Sequence, residues 1–554
     1  MQKFVLKALI LIGLALPVSL IAQPFTWDNA TALGGKVNGG GGMKMTKDAS
    51  GNFFMIGEFT GQRNIGAFVV NATGNNDVFV AKFNSAGICQ WAINIGGASN
   101  YALAAGIAYS GGALYVTGTF SNALNVNGLL LSTSGQNDIF IAQIDPNSGI
   151  ASWLIKAGGT YDDISGGICA SASGGFYLTG NFTFSANFGS VNLFSGSFSN
   201  INMFVAKYSS TGTCMWAQQA GNTAQEDKGT AIQELSNGDI AVAGTFQGAA
   251  TFAPYTINGS LGTDIFVASY TSAGIVNWVK HGGGRGSDIP FGMSVDPLNN
   301  IYITGVVGDT SYFDGFLVPD YGYGSVVTVK YSQQGVFQWA TWGGGPIAID
   351  SGADISTDAV GSSYVVGSLE GNAAFSGVPL VNAQGFDGFI AKYDSQGNLT
   401  WVNRVPAPGS NDTRCVLQLP GGYCYVGGEF SSSFTLGSTT LTPSGALSNE
   451  PTIFLARFGG GTVGLADPLA PSVALDFYPV PATDHLTISC SGIKDAIASV
   501  ELISIEGKQL TSVPFSLNNS AATVVLDLSA YPAGTYFVRL NSINGEVTKT
   551  FIKQ

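Results

Sequence analysis

Apolar and polar positions alternate in a pattern that returns along most of the chain. The segment DVFVAKFNSAGICQW, from Asp77 to Trp91, reads as an apolar strand, a polar turn containing Gly87, and a second strand containing a tryptophan. Short runs rich in Val, Ile, Phe and Tyr, bounded by Gly, Asn and Ser, are typical of strands joined by tight turns. Equivalent segments end at Trp153, Trp216, Trp278, Trp339 and Trp401. The pattern predicts a chain built from repeated β-hairpins.

The tryptophans also set a period. From Trp27 to Trp401 they follow one another at intervals of 61 to 64 residues, and such regularity indicates one repeated supersecondary unit. Each unit continues with a glycine-rich loop, a short strand, a turn and a second strand such as ALYVTGTF. A segment of about 20 residues then leads to the FVAK-type strand, and its alternation predicts an extra strand or hairpin. Four strands per unit predict a β-propeller blade.

The two ends of the repeat region complement each other. Trp27 has no FVAK-type strand before it, whereas the strand from Ile453 to Phe458 has no tryptophan strand after it. Pairing these leftovers would leave no exposed strand edge. We therefore predict an all-β chain whose residues 23–459 form a seven-bladed β-propeller closed by its N-terminal strand.

The amino-acid composition changes after the repeats. Residues 460–474 are rich in Gly, Pro and Ala and predict a linker. Residues 475–554 contain the short strands LTIS, SVELISI, TVVLDLS, GTYFVRL and VTKTFIK. This spacing predicts a small Ig-like β-sandwich as a second domain.

Composition and charge exclude some classes of function and predict export. Lys3 and Lys7 precede an apolar run, so residues 1–22 are predicted to be a signal peptide. The net charge of -13 opposes binding to nucleic acid, and no later stretch predicts a transmembrane span. Six cysteines occur without zinc-site spacing. Cys415 and Cys424 flank a turn, and the sequence leaves open whether they form a disulfide.

The repeats resemble the bacterial SBBP type of β-propeller repeat over roughly residues 24–458. The segments that carry the resemblance are GIAYSGGALYVTGTF and DIFVASYTSAGIVNW. This likeness implies the fold and says little about function.

The tail is similar to the C-terminal sorting domain of the type IX secretion system. Three blocks carry the likeness: YPVPA from Tyr478, SIEGK from Ser504, and LDLS with PAGTY from Leu526, followed by a basic end. Val480 departs from the family, which usually has Asn there. The resemblance implies recognition by the secretion machinery, transport across the outer membrane, and a secreted or surface-attached product. The residues expected to carry the signal are Tyr478, Pro479, Pro481, Gly507, Gly534, Tyr536, Lys549 and Lys553.

Two sets of repeated residues invite a functional interpretation. The repeat tryptophans suggest sugar-stacking platforms, but a tryptophan in every unit is better explained by packing between blades. Asp163, Asp227, Asp288 and Asp350 precede the first strands, with Asp412 and Asn38 nearby in the pattern. They suggest a cation-binding ring, yet aspartates commonly cap tight turns through their own side chains. We expect structural roles for both sets, no metal and no cofactor.

Catalytic motifs are sparse. The chain has two histidines, His281 and His485, and no GxSxG, HExxH or P-loop pattern. Pairs of carboxylates, as in glycoside hydrolysis, stay open because loops of different blades converge on one face.

Unit five departs most from the repeat. Its entry loop is expected to contain His281 and Arg285, and Trp342 lies outside the tryptophan period. The candidate ligand-binding residues are His281, Arg285, Asp309, Tyr312, Asp314, Asp320, Tyr321, Tyr323 and Trp342. Aromatic faces beside carboxylates suit a sugar or a peptide, while sequence drift in a tolerant loop is the structural alternative.

The sequence therefore predicts a secreted or cell-surface propeller that binds an extracellular glycan or protein without catalysis. A glycan-active hydrolase or lyase using carboxylates on one propeller face is the alternative, and a purely structural envelope protein is a third. The ligand is not specified by sequence.

Overall fold

The computed structural model describes residues 27–34, 42–97, 101–222, 225–319, 322–347, 349–381, 385–405, 408–443, 451–459, 474–491, 497–504, 509–514, 521–542 and 545–554. Every regular element in these ranges is a β-strand, so the all-β prediction is confirmed. Within them, no helix is long and apolar enough to cross a membrane. The predicted signal peptide, Asn38 and almost all of the predicted linker lie outside the described residues.

Each repeat folds as four antiparallel strands, which we call first to fourth in chain order within the unit. The first three units contain β2 (Lys44–Lys47), β3 (Phe53–Phe59), β6 (Asp77–Phe83) and β7 (Cys89–Gly96); β8 (Ala102–Ser110), β9 (Ala113–Val126), β10 (Leu129–Ile144) and β11 (Ala151–Ala157); and β12 (Asp163–Ala170), β13 (Phe176–Thr183), β16 (Ile201–Tyr208) and β17 (Cys214–Ala220).

Units four to six repeat the arrangement. Their strands are β18 (Lys228–Glu234), β19 (Ile240–Phe252), β20 (Tyr255–Tyr270) and β21 (Val276–Gly283); β22 (Ile289–Val295), β23 (Ile301–Val307), β26 (Ser325–Tyr331) and β27 (Phe337–Gly344); and β28 (Ser351–Thr357), β29 (Ser363–Glu370), β32 (Phe386–Tyr393) and β33 (Leu399–Val405).

The last group takes its fourth strand from the other end of the repeat region. Its order is β34 (Asn411–Gln418), β35 (Tyr423–Phe430), β38 (Thr452–Gly459) and β1 (Trp27–Ala32). Strand β1 pairs antiparallel with β38, with Trp27 opposite Phe458 and Ala30 opposite Ala456. The two leftover strands of the sequence pattern are therefore hydrogen-bonded partners in one four-stranded sheet.

The 20-residue segment of each unit forms the predicted extra hairpin. In units two and four it is an extension of the second and third strands. The separate hairpins are β4 (Gln62–Ile65) with β5 (Phe68–Asn71), β14 (Ser185–Phe188) with β15 (Val191–Phe194), β24 (Ser311–Phe313) with β25 (Phe316–Val318), β30 (Ala373–Phe375) with β31 (Val378–Leu380), and β36 (Phe434–Leu436) with β37 (Thr439–Leu441). Several hairpins also pair with the fourth strand of the preceding unit, as β24 does with β21.

The repeat tryptophans join neighbouring units. The indole Nε1 of Trp278 donates to the carbonyl of Gln333, in the turn between the third and fourth strands of the next unit, at 3.0 Å. Gly335 in that turn has a φ of 74°, and a Cβ there would lie 2.6 Å from the Trp278 ring. Trp91, Trp153, Trp216 and Trp339 donate to the corresponding turns at 3.1 to 3.3 Å. This geometry supports the packing role rather than an exposed sugar platform.

The cysteine prediction is resolved by strand geometry. Cys415 packs with Met43 and Met55, whereas Cys424 packs with Tyr364 and Val426 in a different cluster. Cys424 lies opposite Gln418, three residues from Cys415, so the two thiols project from opposite faces of the sheet. Both cysteines are free.

The tail forms two antiparallel sheets. One has the order β39 (Ala474–Tyr478), β40 (His485–Ser491), β43 (Ala521–Asp527), and the other β42 (Gln509–Pro514), β41 (Ile497–Ser504), β44 (Gly534–Ser542), β45 (Gly545–Lys553). Their buried side chains, among them Leu486, Leu502, Leu526 and Val538, form one core. Strands β39 and β42 are additions to the five strands expected from the sequence.

Candidate functional site

A β-bulge interrupts the first strand of units two to seven at the same place. The register with the second strand shifts between Ala104 and Gly106, and equivalently in each later unit. A bulge adds one residue that opposes no partner and turns its side chain. The bulged residues are Ala105, Gly166, Thr230, Phe291, Ala353 and Arg414.

These bulged residues all line one cavity of about 550 Å³, which we call the bulge cavity. Four of them are small, whereas unit five places Phe291 and unit seven places Arg414 at this position. The repeat fold therefore accepts a small side chain here, and the two large ones are departures that the blades do not require. Sequence reasoning missed both. Aligning the first strands on their apolar centres would have found them, because each lies two residues before that centre.

The bulge cavity opens into a longer channel. The first strands of the seven units all line a middle cavity of about 320 Å³, which shares Lys44 and Phe291 with the bulge cavity. A third cavity of about 840 Å³ lies beyond it among the turns that follow the first strands, and shares Lys47 and Gln233 with the middle one. Residues from all seven first strands thus line one cavity.

Lys44 and Phe291 stand at the boundary between the bulge cavity and the middle cavity. Lys44 Nζ donates to Asp354 Oδ1 at 2.9 Å and to the Phe291 carbonyl at 3.3 Å. These contacts link the first strands of units one, five and six. The Phe291 side chain is 40% exposed, so an aromatic face is available to a ligand in the cavity.

Arg414 belongs to a cluster of carboxyl groups at the cavity wall. Its Nη2 lies 2.8 Å from Asp412 Oδ2, and its Nε lies 3.3 Å from Glu429 Oε1. Burial raises the pKa of Glu429 to about 8, and burial also raises the pKa of Glu58, whose carboxylate accepts from Asn76 Nδ2 and the Ala104 N–H. Burial raises the pKa of Asp412 as well, and the Arg414 guanidinium beside it acts in the opposite direction.

The aspartates before the first strands cap loops. Asp163 accepts from the Gly159 N–H at 2.6 Å, Asp288 from the Gly284 and Gly308 N–H groups at 2.7 and 3.0 Å, and Asp350 from the Gly345 N–H at 2.6 Å. Asp227 makes equivalent contacts with Asn222 and Gln247. Asp412, in contrast, faces Arg414, and Asn411 occupies the capping position of unit seven. The contacts are those of loop capping.

The unit-five candidates spread over the outer edge of the blades. His281 lies in strand β21 and not in a loop as expected, with its ring 6.0 Å from that of Phe246. Tyr312 lies on the adjacent, paired strand β24, and Asp314 in the hairpin turn pairs with Lys280 Nζ at 3.1 Å. Arg285 and Tyr323 are exposed, and Asp309 caps its own loop through Thr310.

Trp342 is half-buried and packs against Phe316 in the outer hairpin of the same unit, with 6.2 Å between ring centroids. Asp320 and Tyr321 lie outside the described residues. As far as the described part of the chain goes, none of the unit-five candidates lines the bulge cavity. They stay a prediction.

Backbone hydrogen bonds join the end of the YPVPA block to the end of the last strand of the tail domain. Ala482, which follows Pro481, is bonded through its N–H to the Ile552 carbonyl at 2.9 Å, and Gln554 N–H donates to the Ala482 carbonyl at 2.8 Å. Tyr536 donates its hydroxyl to the Pro532 carbonyl at 2.7 Å and is buried, whereas Tyr478 is exposed. Gly507 and the side chain of Lys549 lie outside the described residues, and Lys553 ends β45.

Solved structures similar to this chain include three from well-separated organisms. Acylaminoacyl peptidase of Pyrococcus horikoshii has 8% identity and a TM-score of 0.36, covering 84% of this chain and 59% of its own. The Xanthomonas campestris gluconolactonase has 10% identity and a TM-score of 0.26, and the match covers 62% of this chain and 89% of the gluconolactonase. Trypanosoma rangeli sialidase in complex with sialic acid has 9% identity and a TM-score of 0.32, and the match covers 96% of this chain and 90% of the sialidase. This chain thus spans less than two thirds of the peptidase, and scores below 0.5 carry no argument about activity.

Among curated protein sequences, none matches this chain. Residues 476–554 do match the family described as the secretion system C-terminal sorting domain, in agreement with the resemblance of the tail. The chain therefore ends in a type IX sorting domain on an all-β, propeller-like body, and it is a secreted, cell-surface-attached protein.

Proposed function

We propose that this protein is a surface-attached binding protein, without catalytic activity, that holds an extracellular glycan in the bulge cavity. The observation that carries the proposal is the pair of departures at the bulge position, Phe291 and Arg414, among four small residues. The fold accepts Ala, Gly or Thr at the bulge position. Binding of a ligand would explain why two units have a large aromatic side chain and a large cationic side chain at that position instead.

The chemistry of the cavity suits a sugar. A pyranose ring presents an apolar face and a rim of hydroxyl groups, so it needs an aromatic surface together with convergent donors and acceptors. Phe291 supplies the surface, and Asn181, Ser351 and Ser368 supply polar atoms around it. A volume of about 550 Å³ lies within the range of small-ligand pockets. A protein ligand would need a far larger contact area, so a glycan is favoured.

The body that carries this cavity is proposed to be a closed ring of seven blades over residues 23–459. Three observations support it: β1 completes the sheet of β38, every first strand lines the middle cavity, and β34 of the last unit contacts β2 of the first. Residues 1–22 are proposed as a signal peptide and residues 460–474 as a linker to the tail of residues 475–554. The type IX secretion machinery is then the partner that recognises the C-terminal tail.

A glycan-active hydrolase or lyase is the second candidate. Asp412 and Glu429 lie directly opposite each other on paired strands and both contact Arg414. Glycoside hydrolysis uses such a pair when one carboxyl is protonated and the other ionised. Against this, Glu429 is buried and is not among the described residues that line the bulge cavity. Turnover of a bound glycan by the wild type that disappears in Glu429→Gln would favour the hydrolase.

Binding to a glycan array by the full chain tests the leading proposal. Phe291→Ala should lower the affinity for bound glycans at least tenfold, because the sugar ring loses the aromatic surface on which it stacks. Phe316→Ala is the matched control, since Phe316 is an aromatic of similar exposure on the outer hairpin of the same unit. Equal loss in both variants, or no glycan binding by the wild type, would contradict the proposal.

A further inference from the structure

The charge of the bulge cavity is opposite to that of the protein. The chain has 35 acidic and 22 basic residues. Among the described residues that line the cavity, three are basic, Lys44, Lys228 and Arg414, and one is acidic, Asp412. Because acidic residues outnumber basic ones overall, this local reversal concentrates positive charge where a ligand would bind.

The carboxyl groups behind the cavity wall offset this positive charge only in part. Burial raises the pKa of Glu429 and disfavours its ionised form, and burial raises the pKa of Asp412 and Glu58 in the same direction. Asp354 is engaged by Lys44 and also accepts from the Val416 N–H at 3.1 Å. Glu226 pairs with Lys228 at 2.7 Å, but both side chains are about half exposed, so solvent weakens that pair.

Arg414 keeps donors for a ligand. Its contacts with Asp412 and Glu429 use Nε and Nη2, and the side chain remains 24% exposed. Nη1 carries two further N–H groups. The planar guanidinium fits the two oxygens of a carboxylate better than a lysine ammonium does. Asp412 holds the group in place, so little conformational entropy is lost on binding.

We infer that the glycan held in the bulge cavity carries a carboxylate, as uronic acids do, and that Arg414 and Lys228 bind this group while Phe291 contacts the sugar ring. The inference rests on the proposed glycan-binding function and names its ligand class. Lys44 contributes less, because its ammonium already serves Asp354 and the Phe291 carbonyl.

Two probes with one backbone isolate the carboxylate. Tetragalacturonate and its fully methyl-esterified form share one sugar backbone and differ in whether that group is an ionised carboxylate or a neutral methyl ester. Binding of each to the full chain is measured by calorimetry. The acidic form should bind at least tenfold more tightly than the ester, and the difference should shrink as salt rises. Equal affinities would overturn the inference and leave glycan binding intact.

Variants separate this inference from the proposed function. Lys228→Gln keeps an exposed polar side chain, so folding is preserved; it should weaken binding of the acid about fivefold and leave the ester unchanged. Phe291→Ala should weaken both probes. Binding of neither probe by the wild type, or binding of a sulfated tetrasaccharide in preference to tetragalacturonate, would also overturn the carboxylate assignment. Absence of binding to every glycan on an array would overturn the proposed function itself.

Discussion

The hydroxyl of Tyr425 donates to the carbonyl of Ser85 at 3.1 Å, across 340 positions of sequence. Tyr425 lies in the second strand of the last unit, and Ser85 in the turn between the third and fourth strands of the first. Elsewhere this turn receives a hydrogen bond from the tryptophan of the preceding unit. At the seam between the last and first units, a tyrosine from a different strand makes the equivalent bond.

Tyr425→Phe tests how much this bond stabilises the seam. The change removes one hydroxyl from a buried ring, so the Ser85 carbonyl loses its donor and we expect a loss of about 1 kcal/mol in the free energy of unfolding. Thermal and urea unfolding measure it. Tyr255→Phe is the matched control, because that hydroxyl donates to the Asn277 carbonyl within one unit and is exposed. A smaller effect for Tyr425→Phe than for the control would contradict the role of the seam.

Removal of residues 24–30 tests closure more severely. Without β1, strand β38 becomes an exposed edge with unpaired backbone groups, and the contact between Trp27 and Phe458 is lost. We expect a markedly lower melting temperature and a tendency to aggregate, measured by calorimetry and light scattering.

Asp28→Ala serves as the control for that deletion. It removes a side chain that is 27% exposed and lies 3.6 Å from Arg457 but leaves the strand in place, so stability should change by less than about 0.5 kcal/mol. An unchanged melting temperature in the deletion variant would contradict the closed ring.

Regularity of the repeat decides which features could be predicted from the sequence and which could not. The period, the four strands, the extra hairpin and the packing role of the tryptophans could be predicted because each follows from alternation repeated in every unit. Phe291 and Arg414 were missed because the first strands were not aligned on their apolar centres. Such an alignment shows that both side chains are larger than their counterparts, but not that they occupy a β-bulge, which is set by backbone register. His281 was placed in a loop because the glycines after it, Gly282 and Gly283, are typical of turns. Both continue β21, and Gly282 allows Phe313 to pack closely.

Truncation after Ala470 tests the tail as a sorting signal. The shortened chain lacks the domain matched by the secretion family, so it should cross the inner membrane and accumulate in the periplasm. Fractionation and immunoblotting of cells measure this. As a reciprocal control, residues 471–554 fused to an unrelated periplasmic protein should carry it to the cell surface. Efficient surface delivery of the truncated chain would contradict the assignment.

The buried aspartates predict that acidic conditions stabilise the protein. Asp163 is fully buried, and burial, together with a smaller contribution from Asp138 beside it, raises its pKa to about 8. In the unfolded chain an aspartate titrates near pH 4. The folded state therefore binds more protons than the unfolded state between these values, and stability should fall as pH rises from about 4 to about 8. Asp227, with a pKa of about 7, and Asp288 and Asp350, with values of about 6, act in the same direction.

Asp163→Asn isolates the largest of these contributions. Among the described residues, the Oδ1 atoms of Asp163 and Asp138 have no hydrogen-bond partner, so an amide in place of the Asp163 carboxyl removes a charge and supplies an N–H donor. We expect the variant to gain stability over the wild type progressively from pH 5 to pH 8, measured by urea unfolding at each pH. Asp145→Asn is the control with the opposite sign, because hydrogen bonds from Ser148 and Asn147 lower the pKa of that exposed carboxyl. A stability difference between Asp163→Asn and the wild type that does not vary with pH would show that Asp163 is ionised in the folded protein.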